Sequence, residues 1–249
     1  MDTKVRILER PELNNPLVIC GLPGSGYVGK MAVDHLISEL KAKKMAEFYS
    51  YSFPPQVIVK KAGYVDMVKN ELYYWKDPSG RRDLLLYGGD AQPVSTEAEY
   101  ELSDIVTDLV KELGAKRLFT LAAYVTGSLT STPRVFGTAT DEAELRELEK
   151  HNVIPMAEGN ITGMNGLLVG FAKLKDMVGI CLLGETSGYI LDAKAAQAVL
   201  RVLLDIIGMR ISFESLDRKA METSLLIKNL KREMERKGGE KKEDLGYIS

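Results

Sequence analysis

Short apolar runs alternate with amphipathic segments along most of the chain, a pattern typical of a sheet covered by helices on both faces. Residues 16–20 form the first apolar run. The segment after it places small or apolar residues at helical spacings, and these are Gly29, Ala32, Val33, Leu36, Ile37 and Leu40. A second stripe beside them contains Val28, Met31 and His35. We therefore predict a strand followed by an α-helix that packs on the sheet.

Further strands are predicted where β-branched and aromatic residues cluster between turn residues, at 56–60, 71–75, 82–87, 118–124, 152–156 and 178–183. Another strand is predicted to begin at Glu47. The segments 71–75 and 82–87 are joined by Asp77-Pro78-Ser79-Gly80, which is a type I turn sequence. A hairpin at this point makes the sheet mixed. The expected fold class is α/β, with a mostly parallel mixed sheet between two helical layers.

Three further helices are predicted from periodicity and end signals. One covers 96–113, with Thr96 and Glu99 in capping-box spacing, and another covers 193–207 and ends at Gly208. The last is amphipathic, because apolar residues recur at heptad-like spacings at Phe213, Leu216, Ala220, Thr223, Ile227, Leu230 and Met234. The expected organisation is an α/β domain over 1–211, a C-terminal amphipathic helix over 212–237 and a flexible charged tail over 238–249.

Composition narrows the possible function classes. Lys and Arg total 33 and Asp and Glu total 35, a net charge of -2, so no overall basic field favours nucleic acid or an anionic membrane. No stretch approaches the roughly 18 apolar residues of a membrane span, and the first residues lack an apolar signal core. We expect a soluble, cytoplasmic protein. The only cysteines, Cys20 and Cys181, each end an apolar run, so neither a disulfide nor a metal site is expected.

The stretch GLPGSGYVGK at 21–30 half-matches two phosphate-binding loops, GxGxxG and GxxxxGK. A P-loop needs Ser or Thr after the lysine, where this chain has Met31, and a dinucleotide fold needs an acid at the end of the next strand. One interpretation is a tight turn whose glycines let the helix pack closely. The alternative is a nucleotide or ligand site formed by Gly24, Gly26, Gly29, Lys30, Asp90 and Glu185.

The carboxyl ends of parallel strands meet at one edge of a sheet. For that reason the loop at 21–26, Asp90, Thr126 and Glu185 are expected to converge there. A catalytic Ser-His-Asp set is not expected, because His35 lies inside the first helix and His151 precedes a strand. We predict no catalytic residues and no cofactor.

Six blocks along residues 10–210 carry a family resemblance, and they are GLPGSGYVGKMAVDHL, YSFPPQVIVKKAG, DLLLYGGDAQP, FTLAAYVTGS, ITGMNGLL and CLLGETSGYILDAKAAQAVL. Together they resemble the proteasome assembly chaperone family, in its branch of archaeal homologues. The resemblance implies a three-layer α/β/α fold similar to that of nucleoside phosphorylases. It also implies homo-oligomers that bind proteasome α-subunits, or a related protein, in place of catalysis.

Two surfaces are expected to carry such contacts. The oligomer interface, in a ring of subunits, is predicted at Val28, Met31, His35, Leu216, Ala220, Ile227, Leu230 and Met234. The alternative is that the C-terminal helix folds back onto its own domain. The partner contact is predicted in the tail, at Leu245, Tyr247, Ile248 and Ser249. Activator-like members of the family dock through a terminal hydrophobic-Tyr-any motif, whereas here tyrosine is third from last, which predicts weak docking.

Overall fold

The computed structural model describes residues 3–128 and 130–243. Its strands are β1 Lys4–Ile7, β2 Leu17–Gly21, β3 Lys43–Tyr49, β4 Val57–Val59, β5 Val65–Met67, β6 Asn70–Trp75, β7 Leu84–Gly89, β8 Arg117–Val125, β9 Val135–Ala139, β10 Ile154–Pro155 and β11 Val178–Thr186. Its α-helices are α1 Val28–Glu39, α2 Thr96–Glu112, α3 Glu142–Glu149, α4 Met164–Leu174, α5 Ala193–Ile207 and α6 Glu214–Glu243. A single 3-10 turn, Ser25–Tyr27, precedes α1.

Nine of the strands form one mixed sheet in the order β1-β3-β6-β7-β2-β8-β11-β9-β10. The central strands β7, β2, β8 and β11 run parallel, and they are the most continuously apolar and buried. On one side of this centre, β6 pairs antiparallel with β7, β3 with β6 and β1 with β3. On the other side, β9 runs antiparallel to β11. The mixed sheet is therefore confirmed, with its parallel part at the centre.

Helices cover both faces of this sheet, which confirms the three-layer α/β/α arrangement. On one face α1, α3, α5 and the start of α6 bury apolar side chains in a common core. On the other face α2 and α4 do the same. The stripe predicted for α1 lies in the first core, where Ala32, Val33 and Leu36 have no exposed surface.

Several local predictions are confirmed. The turn between β6 and β7 forms, with the Gly80 N–H donating to the Asp77 carbonyl oxygen at 2.8 Å. Helix α5 spans the predicted residues and ends at Gly208, which has a positive φ of 66°. A residue with a side chain is strained in this left-handed conformation, so glycine is favoured there.

Other local predictions need correction. Ser95, and not Thr96, caps α2, since the Ser95 hydroxyl accepts from the Ala98 N–H. Glu47 does not begin a strand but lies within β3. The predicted strand at 152–156 is reduced to the two-residue edge strand β10. Three elements were not predicted: β1, whose residues are largely exposed, and β9 and α3, which are short.

Candidate functional site

The glycine loop between β2 and α1 allows a very close approach of backbone to backbone. A Cβ atom on Gly29 would overlap the carbonyl oxygen of Leu121 in β8, and one on Gly21 would overlap the carbonyl of Gly29. Gly26 has a φ of 62°, in the left-handed region. A side chain on Gly24, by contrast, would meet no atom within 4 Å. The glycine pattern is therefore explained by packing of α1 against the sheet.

The residues of the predicted ligand loop do not converge on one site. Lys30 forms an ion pair with Asp34, at 3.0 Å, one turn along α1. Asp90 accepts a hydrogen bond from the Lys69 N–H and shares a small separate cavity with Lys30. The Glu185 carboxylate instead accepts hydrogen bonds from Nε and Nη2 of Arg134, each at 2.8 Å. The six predicted residues therefore do not all line one cavity: Lys30 and Asp90 share one, Gly24 and Gly29 line another, and Glu185 lines neither.

Glu185 nevertheless supports the carboxyl edge of the sheet. Hydrogen bonds from Arg134 outweigh the effect of burial and lower the pKa of the Glu185 carboxyl. The Arg134 guanidinium lies 5.2 Å from the centre of the Phe136 ring, which in turn stacks on Tyr124 with 4.1 Å between ring centres. This chain of contacts fixes the Tyr124 ring in the wall of a nearby cavity.

That cavity, of about 620 Å³, opens at the carboxyl ends of β2, β8 and β11. Its lining consists of apolar side chains, polar side chains and one acid. The lining residues are Leu22, Gly24, Ser25, Val28, Gly29, Gln92, Glu99, Ala122, Ala123, Tyr124, Val125, Met156, Asn160, Ile161, Thr162, Gly163, Asn165 and Leu183. Open α/β sheets generally place ligand pockets at this edge. The glycine loop therefore contributes one wall of a cavity, although its glycines are required for packing.

Gln92 joins two walls of the cavity. Its Nε2 donates to the Pro23 carbonyl oxygen at 2.7 Å, and its Oε1 accepts from the Met164 N–H at 2.9 Å. It thereby links the glycine loop to the start of α4. Sequence reasoning missed Gln92, Glu99 and Asn165 as cavity residues. The only available signal was the glycine-rich patch at 161–166, which precedes and begins α4.

The predicted oligomer residues are in large part covered within the chain itself. Val28, His35, Leu216 and Ala220 are buried, while Met31 is half-buried. The His35 Nε2 donates to the Ser212 carbonyl oxygen at 2.8 Å, and Nδ1 lies within hydrogen-bond distance of Ser215 Oγ at 3.1 Å. The first turns of α6 thus fold back onto their own domain, the alternative that the sequence left open.

The remaining predicted contact residues lie outside the described part of the structure. These are the side chains of Ile227, Leu230 and Met234 in α6, and the tail residues Leu245, Tyr247, Ile248 and Ser249. Described side chains farther along α6 than Ala220 include Met221, Leu225 and Leu226, which are all exposed.

An exposed apolar surface lies on the hairpin formed by β4 and β5, which is separate from the main sheet. Ile58 packs against the core, whereas the residues on the opposite face point outward. Those residues are the paired Val57 and Met67 and the paired Val59 and Val65, each between 49% and 67% exposed. We call these four residues the hairpin face. Sequence reasoning identified β4 as a strand but not its exposure.

A buried charge network anchors this hairpin. Lys69 Nζ lies 2.8 Å from Glu47 Oε1 and 3.3 Å from Asp66 Oδ2 of β5. Burial disfavours the ionised form of Glu47, but hydrogen bonds from Lys69, Lys44 and Tyr49 outweigh it and lower the pKa of the carboxyl to about 2. The network therefore stabilises a charged Glu47 and holds β5 to the main sheet.

Other reactive groups are enclosed. Cys20 and Cys181 are buried and free, and burial raises the pKa of the Cys181 thiol to about 12. Among residues 3–128 and 130–243, no group of three or more His, Cys, Asp and Glu side chains is placed to hold a metal ion. Within the same residues, no helix is both long enough and apolar enough to cross a membrane.

Comparison with solved structures finds close matches to this fold. The chain shares 40% identity and a TM-score of 0.85 with Pyrococcus furiosus PbaB, an archaeal proteasome activator, over 92% of this chain and 98% of that one. It shares 27% identity and a TM-score of 0.74 with P. furiosus PbaA, an archaeal homolog of proteasome-assembly chaperone, over 94% of this chain and 99% of that one.

Sequence relatives agree with the structural matches. The uncharacterized protein MJ1210 of Methanocaldococcus jannaschii is 34% identical over 98% of this chain and 96% of its own length. The model of the PAC2 family matches residues 18–231. Both the family match and this relative cover nearly the whole fold described above, and the chain therefore belongs to the PAC2 family.

Proposed function

We propose that this chain is a non-enzymatic, homo-oligomeric protein-binding module related to proteasome assembly chaperones, which binds proteasome subunits or a related protein in the cytoplasm. The hairpin face is the observation that carries the proposal. Contiguous exposed apolar surface of this kind marks contacts with other proteins. The likeness to PbaB and PbaA supports a partner connected with the proteasome.

The form of the hairpin supports the same interpretation. Two-stranded sheets are marginal in water unless they pack against something. Here Ile58 and the ion pair of Asp66 with Lys69 secure one side of the hairpin. The outer side carries valines and a methionine, with Tyr64 exposed in the adjoining loop. A partner that covers these side chains removes apolar surface from water, which favours association.

The proposal of a homo-oligomer relies on α6. This helix continues well past Ala220, which is the last of its described side chains to be buried against α5. Met221 and Leu225, one turn apart, leave apolar surface on its described portion. In our proposal the later seam residues Ile227, Leu230 and Met234 pair with a second copy. The tail residues Leu245, Tyr247, Ile248 and Ser249 remain our proposed partner contact, weakened by the displaced tyrosine.

Nucleotide binding by the glycine loop is not favoured as a second function. The Leu121 carbonyl occupies the space beside Gly29, and Lys30 is engaged by Asp34. A phosphate site needs free N–H groups and an available cation. The glycines of this loop are better explained by the close packing of α1 against β8, and its lysine is paired with Asp34.

The test is binding to purified archaeal 20S proteasome and to isolated α-subunits, measured by co-sedimentation and light scattering. We expect the unaltered chain to form an oligomer and to bind. The double variant Val59→Lys, Val65→Glu should lose at least about tenfold in affinity, because it places two charges in an apolar contact, while their opposite signs avoid repulsion between these paired positions. The matched control is Val94→Lys, which alters an equally exposed valine outside the hairpin.

Thermal unfolding separates loss of binding from loss of folding. All three proteins should unfold within a few degrees of each other, since substitutions on the exposed surface change stability by about 0.5 kcal/mol or less. Equal binding by the hairpin variant and the control would remove the hairpin from the contact. Failure of the unaltered chain to bind either proteasome preparation would contradict the proposed partner.

A further inference from the structure

Two cavities lie side by side at the amino ends of the parallel strands, the edge of the sheet opposite the glycine loop. One, of about 430 Å³, is lined by Trp75 at the end of β6 and by Leu84 at the start of β7. The other, of about 200 Å³, is lined by the first residues of β2, β8 and β11, which are Leu17, Arg117 and Val178. Arg82 lines both. Because β6, β7, β2, β8 and β11 are consecutive in the sheet, the two cavities lie in a row across five strand ends.

A third cavity continues this row past the end of α5. It has a volume of about 350 Å³ and shares Asp205 and Met209 with the cavity of Trp75. The floor of these two cavities is apolar and only partly covered by the rest of the chain. Its half-buried side chains are Trp75, Ile206, Ile207, Met209, Ile211 and Phe213. We call the three cavities together the amino-edge groove.

The lining of the amino-edge groove is positively charged. Its cationic side chains are Arg81, Arg82, Lys116, Arg117, Arg201 and Arg210, whereas its acidic side chains are Asp77 and Asp205. The whole chain, by contrast, has a net charge of -2. Positive charge is therefore concentrated along this edge, which favours association with an acidic ligand.

Acidic neighbours neutralise only part of this charge. Arg117 pairs with Glu144, and the Arg201 guanidinium lies 3.5 Å from the Asp217 carboxylate. Among the described residues, however, three of the cations form no side-chain hydrogen bond or ion pair, and they are Arg82, Lys116 and Arg210. These three charges are available to a ligand.

The two acids of the lining already have other partners. Asp77 accepts hydrogen bonds from the backbone N–H groups of Ser79 and Arg81. The Asp205 carboxylate lies 2.5 Å from the ring of His151. An anionic group that enters the groove therefore meets cations without an acidic partner, while an apolar group meets the floor.

The dimensions favour an extended segment of a protein. Five strands at spacings of about 4.8 Å give a length of about 19 Å, which an extended peptide covers with about six residues. Proteins that bind single-stranded nucleic acid use several open aromatic faces for base stacking. Here the floor is mostly aliphatic, and of its two aromatic rings Phe213 is already covered by Arg201, whose guanidinium lies 4.1 Å from the ring centre.

We propose that the amino-edge groove binds an extended, acidic segment of a partner protein. Apolar side chains of the segment lie on the floor beside Trp75 and Met209, and its carboxylates pair with Arg82, Lys116 and Arg210. The groove shares no residue with the hairpin face. The proposal therefore goes beyond the proposed function and stands without it.

The experiment uses the fluorescence of Trp75, which is the only tryptophan of the chain and lies in the groove. The full-length chain is titrated with a blocked peptide of alternating glutamate and leucine, about seven residues long. We expect a shift in Trp75 emission, with an affinity that falls as salt is raised, because salt screens the charge pairs. Two matched peptides, with lysine in place of glutamate or serine in place of leucine, should bind at least about tenfold more weakly.

A pair of charge-matched variants assigns the contact to the groove. Arg82→Gln, Arg210→Gln should weaken binding of the glutamate–leucine peptide by about tenfold or more, because it removes two charge-assisted contacts. The control Lys61→Gln, Lys194→Gln removes the same charge from two lysines outside the three cavities and should bind as the unaltered chain does. Thermal unfolding of all three proteins within a few degrees of each other shows that the fold is intact.

Three results would overturn the proposal. They are an unchanged Trp75 emission at millimolar peptide, equal binding of the lysine peptide, and equal affinity of the groove variant and its control. An oligothymidylate that shifts Trp75 emission at lower concentration than the peptide would also overturn it, and would assign the groove to nucleic acid.

Discussion

The glycine loop and the β4–β5 hairpin differ in what their sequences reveal. The loop matches two well-known phosphate-binding patterns, yet Gly21 and Gly29 are required because helix and strand backbones touch there. The hairpin matches no motif, yet its Val57, Val59, Val65 and Met67 form an exposed apolar face. A recognisable sequence motif can thus arise from packing within the fold, while a strand without any motif can form the surface available to a partner.

The physical reason is that one residue type is favoured in several different structural environments. Glycine is selected wherever a Cβ atom has no room or where φ is positive, and phosphate binding is only one such situation. Valine is selected in strands whether its side chain faces the core or a partner. In both cases the spacing of residues in the sequence predicts the secondary structure, but it does not predict which part of the protein, or which partner, the residue contacts.

The largest effect should come from Gly29→Ala. The added methyl group would overlap the Leu121 carbonyl oxygen, so α1 must move away from β8 and part of the core must open. We expect a loss of about 3 kcal/mol or more in the free energy of unfolding, at the upper end for overpacking. The measurement is urea unfolding followed by circular dichroism.

Gly24→Ala is the matched control within the same loop. A Cβ atom there meets nothing within 4 Å, and the φ of −168° is extended backbone that any residue adopts. Its unfolding free energy should change by about 0.5 kcal/mol or less. Equal losses for both variants would show that the loop glycines are needed for a reason other than the contact with β8.

The next effect tests the anchor of the hairpin. Lys69→Met removes the closer of the two lysines that hydrogen-bond the nearly buried Glu47, with Lys44 remaining at 3.2 Å, and it also removes a cation beside Asp66. Loss of a hydrogen bond to a charged group costs about 2 kcal/mol. We expect that destabilisation in urea unfolding, together with faster amide hydrogen exchange in β4 and β5. The double variant Glu47→Leu, Lys69→Met should recover most of the loss, because it leaves no unpaired charge.

The same network predicts how stability depends on pH. The pKa of Glu47 is about 2 in the folded chain, below the value of about 4.3 for an unperturbed glutamate. The stabilisation is therefore present above about pH 4.3 and is lost as the pH falls towards 2. Glu47→Gln should flatten the stability curve over this interval. An unchanged curve would mean that other carboxylates dominate acid unfolding.

Much of the fold was accessible from sequence because periodicity and end signals report burial directly. Helix α5, which ends at Gly208, is buried along one face and was predicted to the residue. The cavity was less accessible, because Gln92, Glu99 and Asn165 are far apart in sequence and meet only through the crossings of α2 and α4. Glu99 also fits a capping-box spacing with Thr96. Because that spacing already explained an acid at this position, its place in the cavity wall was not predicted.

The smallest expected effect is the response to nucleotides, which examines the glycine loop again. A ligand that binds only the folded chain raises stability by RT ln(1 + [L]/Kd), about 2.7 kcal/mol at a hundredfold excess over Kd, which corresponds to a rise of several degrees in Tm. Because Lys30 is paired with Asp34 and Gly29 packs on β8, we expect no change in Tm with millimolar ATP, GTP, NAD or Mg²⁺. Lys30→Ala provides the control, since it keeps the packing and removes the cation of the loop. A rise in Tm of the unaltered chain that Lys30→Ala abolishes would show that the loop binds phosphate after all, and the contrast between loop and hairpin would then fail.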